Sequence, residues 1–66
     1  MTITLNGDSY NLEGPTTVSA LLARLEIDPR RVAVEHNLEV LKRARFDDTP
    51  IREGDRIEIV NFVGGG

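Results

Sequence analysis

TTVSALLARLEIDPRRVAVEH, residues 16–36, decides the fold, because the period of its apolar residues changes part-way along. Val18, Leu21, Leu22 and Leu25 fall at i, i+3, i+4 and i+7, which is one apolar stripe on a helix. Thr17 stands just before the stripe as an N-cap, its hydroxyl able to accept from a free N–H of the first turn. Pro29 biases Asp28 away from helical φ/ψ, so the helix ends before it. RVAVEH then alternates with period two, Val32 and Val34 on one side and Ala33 and Glu35 on the other, the signature of a strand. A helix running directly into a strand needs a sheet to bury both apolar surfaces.

The flanking residues supply that sheet. In TITLNGDSYNLE, residues 2–13, Ile3 and Leu5 share one face, Tyr10 and Leu12 follow a break, and Asn6-Gly7 tolerates the positive φ of a tight hairpin turn. After the helix and third strand, a turn at Asn37 leads to the short apolar pair Val40 and Leu41. KRARFDDTPI, residues 42–51, has no clean period; Phe46 and Ile51 are its inward anchors in an irregular or short 3₁₀ segment. REGD reads as a turn with Gly54 in the positive-φ place, and RIEIVNFV is the final strand. The order β-β-α-β-(short β)-β predicts an α+β fold, a mixed sheet of four to five strands with one main helix across one face. Its expected core is Ile3, Leu5, Leu21, Leu22, Leu25, Val32, Val34, Ile57 and Ile59. Residues 1–63 form one domain by this reading, and 64–66 a flexible glycine tail.

Composition narrows the function. With 66 residues and no cysteine, the chain has no disulfide framework, thiolate metal site or cysteine nucleophile. A reducing, cytoplasmic setting is consistent with that. A formal net charge of −3 argues against a nucleic-acid backbone as partner and favours other proteins. No apolar run approaches the ~20 residues that span a bilayer, and MTITLNGDSY lacks the basic start and apolar core of an export signal, so no membrane or export role is expected.

No constellation for catalysis is legible. His36 is the one histidine and reads as a surface or turn residue, and no serine has an evident base beside it. Asp47-Asp48 and the pair Glu53/Asp55 lie among turn residues without further ligands and read as solvated loops rather than a metal site. The basic PRR and KRAR runs read as solvated faces. What remains distinctive is the end, VNFVGGG. A glycine-rich terminus is ordinarily just a frayed end. The alternative is that Gly64, Gly65 and Gly66 form a thread without side chains, reaching at most about 10 Å, that can carry the α-carboxylate of Gly66 into a neighbour's buried site. Val60 and Phe62 lie opposite the core-facing Ile57 and Ile59 by alternation. They form either a partner-binding patch at the root of that tail or, for Phe62, a side chain folded back on the core.

TTVSALLARL in the helix, DPRRVAVE into the third strand, the NG hairpin, and above all TPIREGDRIEIVNFVGGG together resemble the ThiS family of thiamine-biosynthesis sulfur carriers, within the ubiquitin-like β-grasp superfamily. The likeness covers nearly the whole chain, and its most specific part is EGDRIEIV running straight into FVGGG. Glu26 and Leu38 stand where such chains often have glycine, which puts the local turn geometry there in question.

The resemblance implies a carrier and not an enzyme. A ThiF-like activating enzyme would use ATP and magnesium, neither bound by this chain, to adenylate the Gly66 carboxylate. Sulfur relayed as persulfide from a cysteine desulfurase would replace AMP, leaving a thiocarboxylate that a ThiG-like thiazole synthase takes into the thiazole ring. The free carrier would be a monomer. Three other readings stay open: the small subunit of molybdopterin synthase, a ubiquitin-like modifier that forms isopeptide bonds to lysines, and an interaction module with inert glycines.

Overall fold

The computed structural model describes residues 1–62. Val63 and the glycines 64–66, to which the flexible tail was assigned, lie outside the described residues. Strands β1 (Thr2–Leu5) and β2 (Asp8–Asn11) form a hairpin closed by Asn6 and Gly7 at φ 50° and 87°. Positive φ at both loop positions matches the right-handed twist of the strands, which is why an Asn-Gly pair suits the turn.

Helix α1 runs from Val18 to Arg24, and the Thr17 hydroxyl accepts from Ala20 N at 3.2 Å as the cap. It ends earlier than Pro29 requires. Ile27 N donates to Leu22 O at 2.9 Å and Glu26 N to Ala23 O at 3.0 Å, and Glu26 takes φ 59°. This pair of bonds closes the last carbonyls of the helix around a left-handed residue, a place usually held by glycine. Asp28 then caps a 3₁₀ turn at Pro29–Arg31, its carboxylate accepting from Arg30 N at 2.9 Å. The Arg30 side chain pairs with the same carboxylate and holds its pKa down to about 2.

Strand β4 (Val32–His36) follows, then β5 (Glu39–Leu41), with Asn37 and Leu38 at φ 52° and 73° in the turn between them. A 3₁₀ turn occupies Arg43–Arg45, inside the stretch that lacks a clean period. The last strand, β7 (Arg56–Asn61), lies mid-sheet, and Gly54 at φ 83° makes the turn before it. The five-stranded sheet has the order β2-β1-β7-β4-β5, with β1 and β7 parallel and the other neighbours antiparallel. This is the mixed sheet with one helix of the β-grasp fold. Two further strands escape a periodicity reading because each has only two residues: β3 (Thr16–Thr17) pairs with β6 (Pro50–Ile51) and pins the start of α1 to the irregular segment.

Helix and sheet enclose one core: Ile3, Leu12, Val18, Leu21, Leu22, Val32, Val34, Phe46, Ile51 and Ile57. Phe46 and Ile51 are the inward anchors of the irregular stretch, as expected. Three residues expected inside are instead half-buried against the margin of this core: Leu5 at the end of β1, Leu25 at the helix C-cap, and Ile59 further along β7. Each sits where its element runs out from under the packing partner. Leu12 shows the reverse. It lies just past β2, drawn in by its N–H to Met1 O at 2.8 Å, and is buried.

Two expectations follow for stability. Leu22→Ala and Ile57→Ala, at positions 1% and 0% exposed, each cost about 2–5 kcal/mol in chemical or thermal unfolding, and parent-like melting in both overturns the assignment of faces. Leu38 is 70% exposed and Glu26 is also exposed, so neither side chain is needed for packing, while each holds a left-handed backbone. Glu26→Gly and Leu38→Gly therefore stabilise by up to about 1 kcal/mol, read as a melting point several degrees higher.

Candidate functional site

α1 covers one face of the sheet and leaves the other open. Register assigns side chains to that open face. Ala33 pairs with Val60, Glu35 with Glu58 across β4 and β7, and Glu35 also with Val40 across β4 and β5. Directly paired residues project to the same side, so Val40, Val60 and the two glutamates share it. Phe62 continues the line: its N–H donates to Arg31 O at 3.0 Å, extending the β4–β7 ladder beyond the last strand residue. Val60 and Phe62 are each 57% exposed and Val40 76%. Phe62 therefore does not fold back on the core. Val40 is the residue of this patch that sequence reasoning missed; only the register of β5 on β4 places it beside Glu35, and no local pattern encodes that register.

Glu53 is exposed, as expected, but the reading of Asp55 as solvated is corrected. The Asp55 side chain is 12% exposed and ties three segments together. It accepts from Arg52 N at 2.9 Å, from Asn37 Nδ2 at 3.2 Å, and lies 2.9 Å from His36 Nε2. Asn37 in turn accepts from Arg56 N at 2.8 Å, and Asp55 O accepts from Thr4 N at 2.9 Å. His36 is accordingly half-buried at the end of β4, not a free surface residue. Glu53 accepts from Thr2 N at 3.0 Å through Oε1, joining the same turn to β1. These carboxylates hold the turns that meet at the start of β7. Asp47 accepts from the Ser19 hydroxyl and Asp48 is exposed. Among the described residues no group of three or more His, Cys, Asp or Glu side chains could hold a metal ion, and no helix is long and apolar enough to cross a membrane.

The ThiS family model matches residues 3–66. The chain belongs to the ThiS family. The crystal structure of a ThiS protein from Geobacter metallireducens superposes with a TM-score of 0.87 at 39% identity, each chain covered completely. The sulfur carrier protein ThiS of Bacillus subtilis is 38% identical over 63 residues, covering 94% of this chain and 96% of that one. A thiazole synthase of Paramagnetospirillum magneticum is 42% identical over all 66 residues, yet the match takes up 20% of that protein. A second thiazole synthase, from Magnetococcus marinus, is 44% identical over the same span and share, so the chain spans one fifth of the length of these two relatives.

Within the ThiS frame, β7 carries Glu58 and Val60 of the open face, and the family match runs on past it through Gly66. The Asp55 node fixes where β7 starts. Burial alone would push the Asp55 carboxyl up, but hydrogen bonds from His36, Arg52 N and Asn37 outweigh it and hold the pKa below its ordinary 3.8. A depressed carboxyl contributes stability above its unfolded value of about 3.9 and loses it as pH falls through the lower folded value. Stability therefore declines below about pH 4. Asp55→Asn, which sets an amide donor among donors, costs about 1–3 kcal/mol at neutral pH and flattens that acid limb in pH-resolved denaturant titrations. A variant that keeps the parent's acid slope removes Asp55 as its source.

Proposed function

We propose that the chain is a sulfur carrier protein for thiazole formation in thiamine biosynthesis, and that its Gly66 carboxylate is the group that carries the sulfur. The observation that supports this most is the match to the ThiS family through Gly66. A carboxylate is a poor electrophile, so it must first be activated. A ThiF-like enzyme, holding ATP and magnesium, adenylates it: the carboxylate attacks the α-phosphorus and pyrophosphate leaves. A persulfide from a cysteine desulfurase or equivalent donor then attacks the acyl carbon and AMP departs. Cleavage of the resulting S–S bond by a thiol leaves the thiocarboxylate. This sulfur is nucleophilic and passes to a thiazole synthase. The carrier supplies no catalytic group; Gly64 and Gly65 add no side chain to obstruct passage into a partner's site, and the open-face residues Val60 and Phe62 provide contact outside it. Two relatives named thiazole synthase favour thiazole formation over the molybdopterin pathway.

Mass spectrometry tests the reading. Incubation with a ThiF-like enzyme, ATP, magnesium and a persulfide donor adds about 16 Da at the terminal carboxyl, one oxygen becoming sulfur, with the adenylate forming first. Deleting Gly66 or adding a residue after it abolishes the gain without changing the melting point, because misplacement by ~1 Å can cost about a hundredfold in rate. Gly65→Val slows adenylation, and Asp48→Ala alters nothing. Sulfur gained by the extended protein, or isopeptide bonds to lysines in place of sulfur, would give the modifier reading precedence.

A further inference from the structure

Glu35 and Glu58 face each other directly across β4 and β7, both half-buried. Their Cβ atoms in such a pairing stand about 5 Å apart, and like charges so placed destabilise a sheet. Among the described residues the ion pairs are Arg30 with Asp28 and His36 with Asp55; neither glutamate has a cationic partner. Apolar side chains border the pair on one side; on the other, the exposed Arg56, two residues before Glu58 on β7 and on the same face by alternation, makes no ion pair with either glutamate among the described residues. Val40 is the pair's neighbour on β5, Ala33 and Val60 form the next rung, and Phe62 lies beyond. Strand pairing alone does not call for two adjacent acids beside an exposed apolar patch.

Resting on the sulfur-carrier reading, we infer that this face docks on the thiazole synthase through one arginine or lysine of that enzyme, seated between Glu35 and Glu58 while aliphatic side chains around it cover Val40, Val60 and Phe62. Charge complementarity points to the occupant. A cation between two opposed carboxylates removes their repulsion and gains two charge-assisted hydrogen bonds, for which the planar fork of arginine is well shaped. The apolar border of Val40, Val60 and Phe62 excludes water from that side once covered and strengthens both. That the occupant is the thiazole synthase accords with relatives in which this domain makes up 20% of a thiazole synthase chain, and so is tethered beside that enzyme. Glu35 and Glu58 are then specificity residues that lower the stability of the free carrier.

The two roles separate in one experiment. Glu35→Gln, Glu58→Gln and the double variant preserve shape and remove the repulsion. The double variant is expected to melt about 1–4 °C higher than the parent. It is expected to bind the thiazole synthase, by calorimetry, at least about tenfold more weakly and with a shallower dependence on salt. Glu39→Gln, an exposed acid directed to the opposite side of β5, leaves binding unchanged. A double variant that binds as tightly as the parent, or that melts lower, overturns the role of the pair while leaving the carrier reading intact. A parent that shows no binding to a thiazole synthase, yet still gains sulfur at Gly66, overturns this partner for the face. A parent that neither binds nor gains sulfur overturns the carrier reading as well.

Discussion

The burial of Ile57 in the middle strand of the sheet is the constraint on which the other arrangements rest. β7 has β1 on one side and β4 on the other, and Ile57 is fully enclosed with Ile3, Val34 and the helix residues Leu21 and Leu22. A strand alternates strictly, so fixing Ile57 inward sends Glu58 and Val60 to the open face. A slip of one residue would exchange the two sets and bury a glutamate. The same packing that holds a small core together thus determines which side chains any partner meets.

Register on both sides of β7 is held by polar contacts at its start. Asp55, Asn37 and His36 link the turn before β7 to the turn after β4, and Thr4 N on Asp55 O brings in β1. Asp55 is largely shielded from water and His36 partly so, so their contact is worth more than on an open surface, and loss of Asp55 strands its donors. Opposed to this are left-handed residues that are not glycine: Asn6, Glu26, Asn37 and Leu38. Asparagine accepts that conformation readily; leucine and glutamate do so at a cost. A domain this size has few kcal/mol in hand, so the Asp55 node offsets strain that the neighbouring turn at Leu38 introduces.

How legible this was depended on sequence separation. The Asn-Gly hairpin, the Thr17 cap, the Val18-Leu21-Leu22 stripe, the strand at residues 32–36 and the Gly54 turn are all written in neighbouring residues, and propensity and period identify them. The glycine preference at positions 26 and 38 is also local, and the backbone there does take positive φ. The β3–β6 pairing joins residues more than thirty apart through two-residue strands, too short to show a period. Asp55 looks like a turn acid until the fold brings Asn37 and His36 to it. Glu35 and Glu58 appear as unrelated charges until register makes them neighbours. Val60 and Phe62 were readable as outward-facing from alternation alone, whereas Val40 needed the β5 register. What sequence conceals here is contact between distant segments, which is where the polar node and the open face both arise.

The composition of the open face has a kinetic consequence for a carrier. On the proposed function the protein meets an activating enzyme, a sulfur source and an acceptor in turn and must leave each of them, and a wholly apolar face would favour long residence. Placing a like-charged pair among the exposed Val40, Val60 and Phe62 divides the work. The apolar groups provide contact area that any of the partners can use, while the glutamates reward only a surface that brings a cation to one place. Charge also acts before contact, speeding approach by a basic surface and weakening with salt. Because the pair repels itself in the free protein, docking relieves a strain that release must restore. That relief strengthens binding only to a surface that supplies the cation, so the pair sharpens the choice of partner while the apolar contacts common to all partners stay modest.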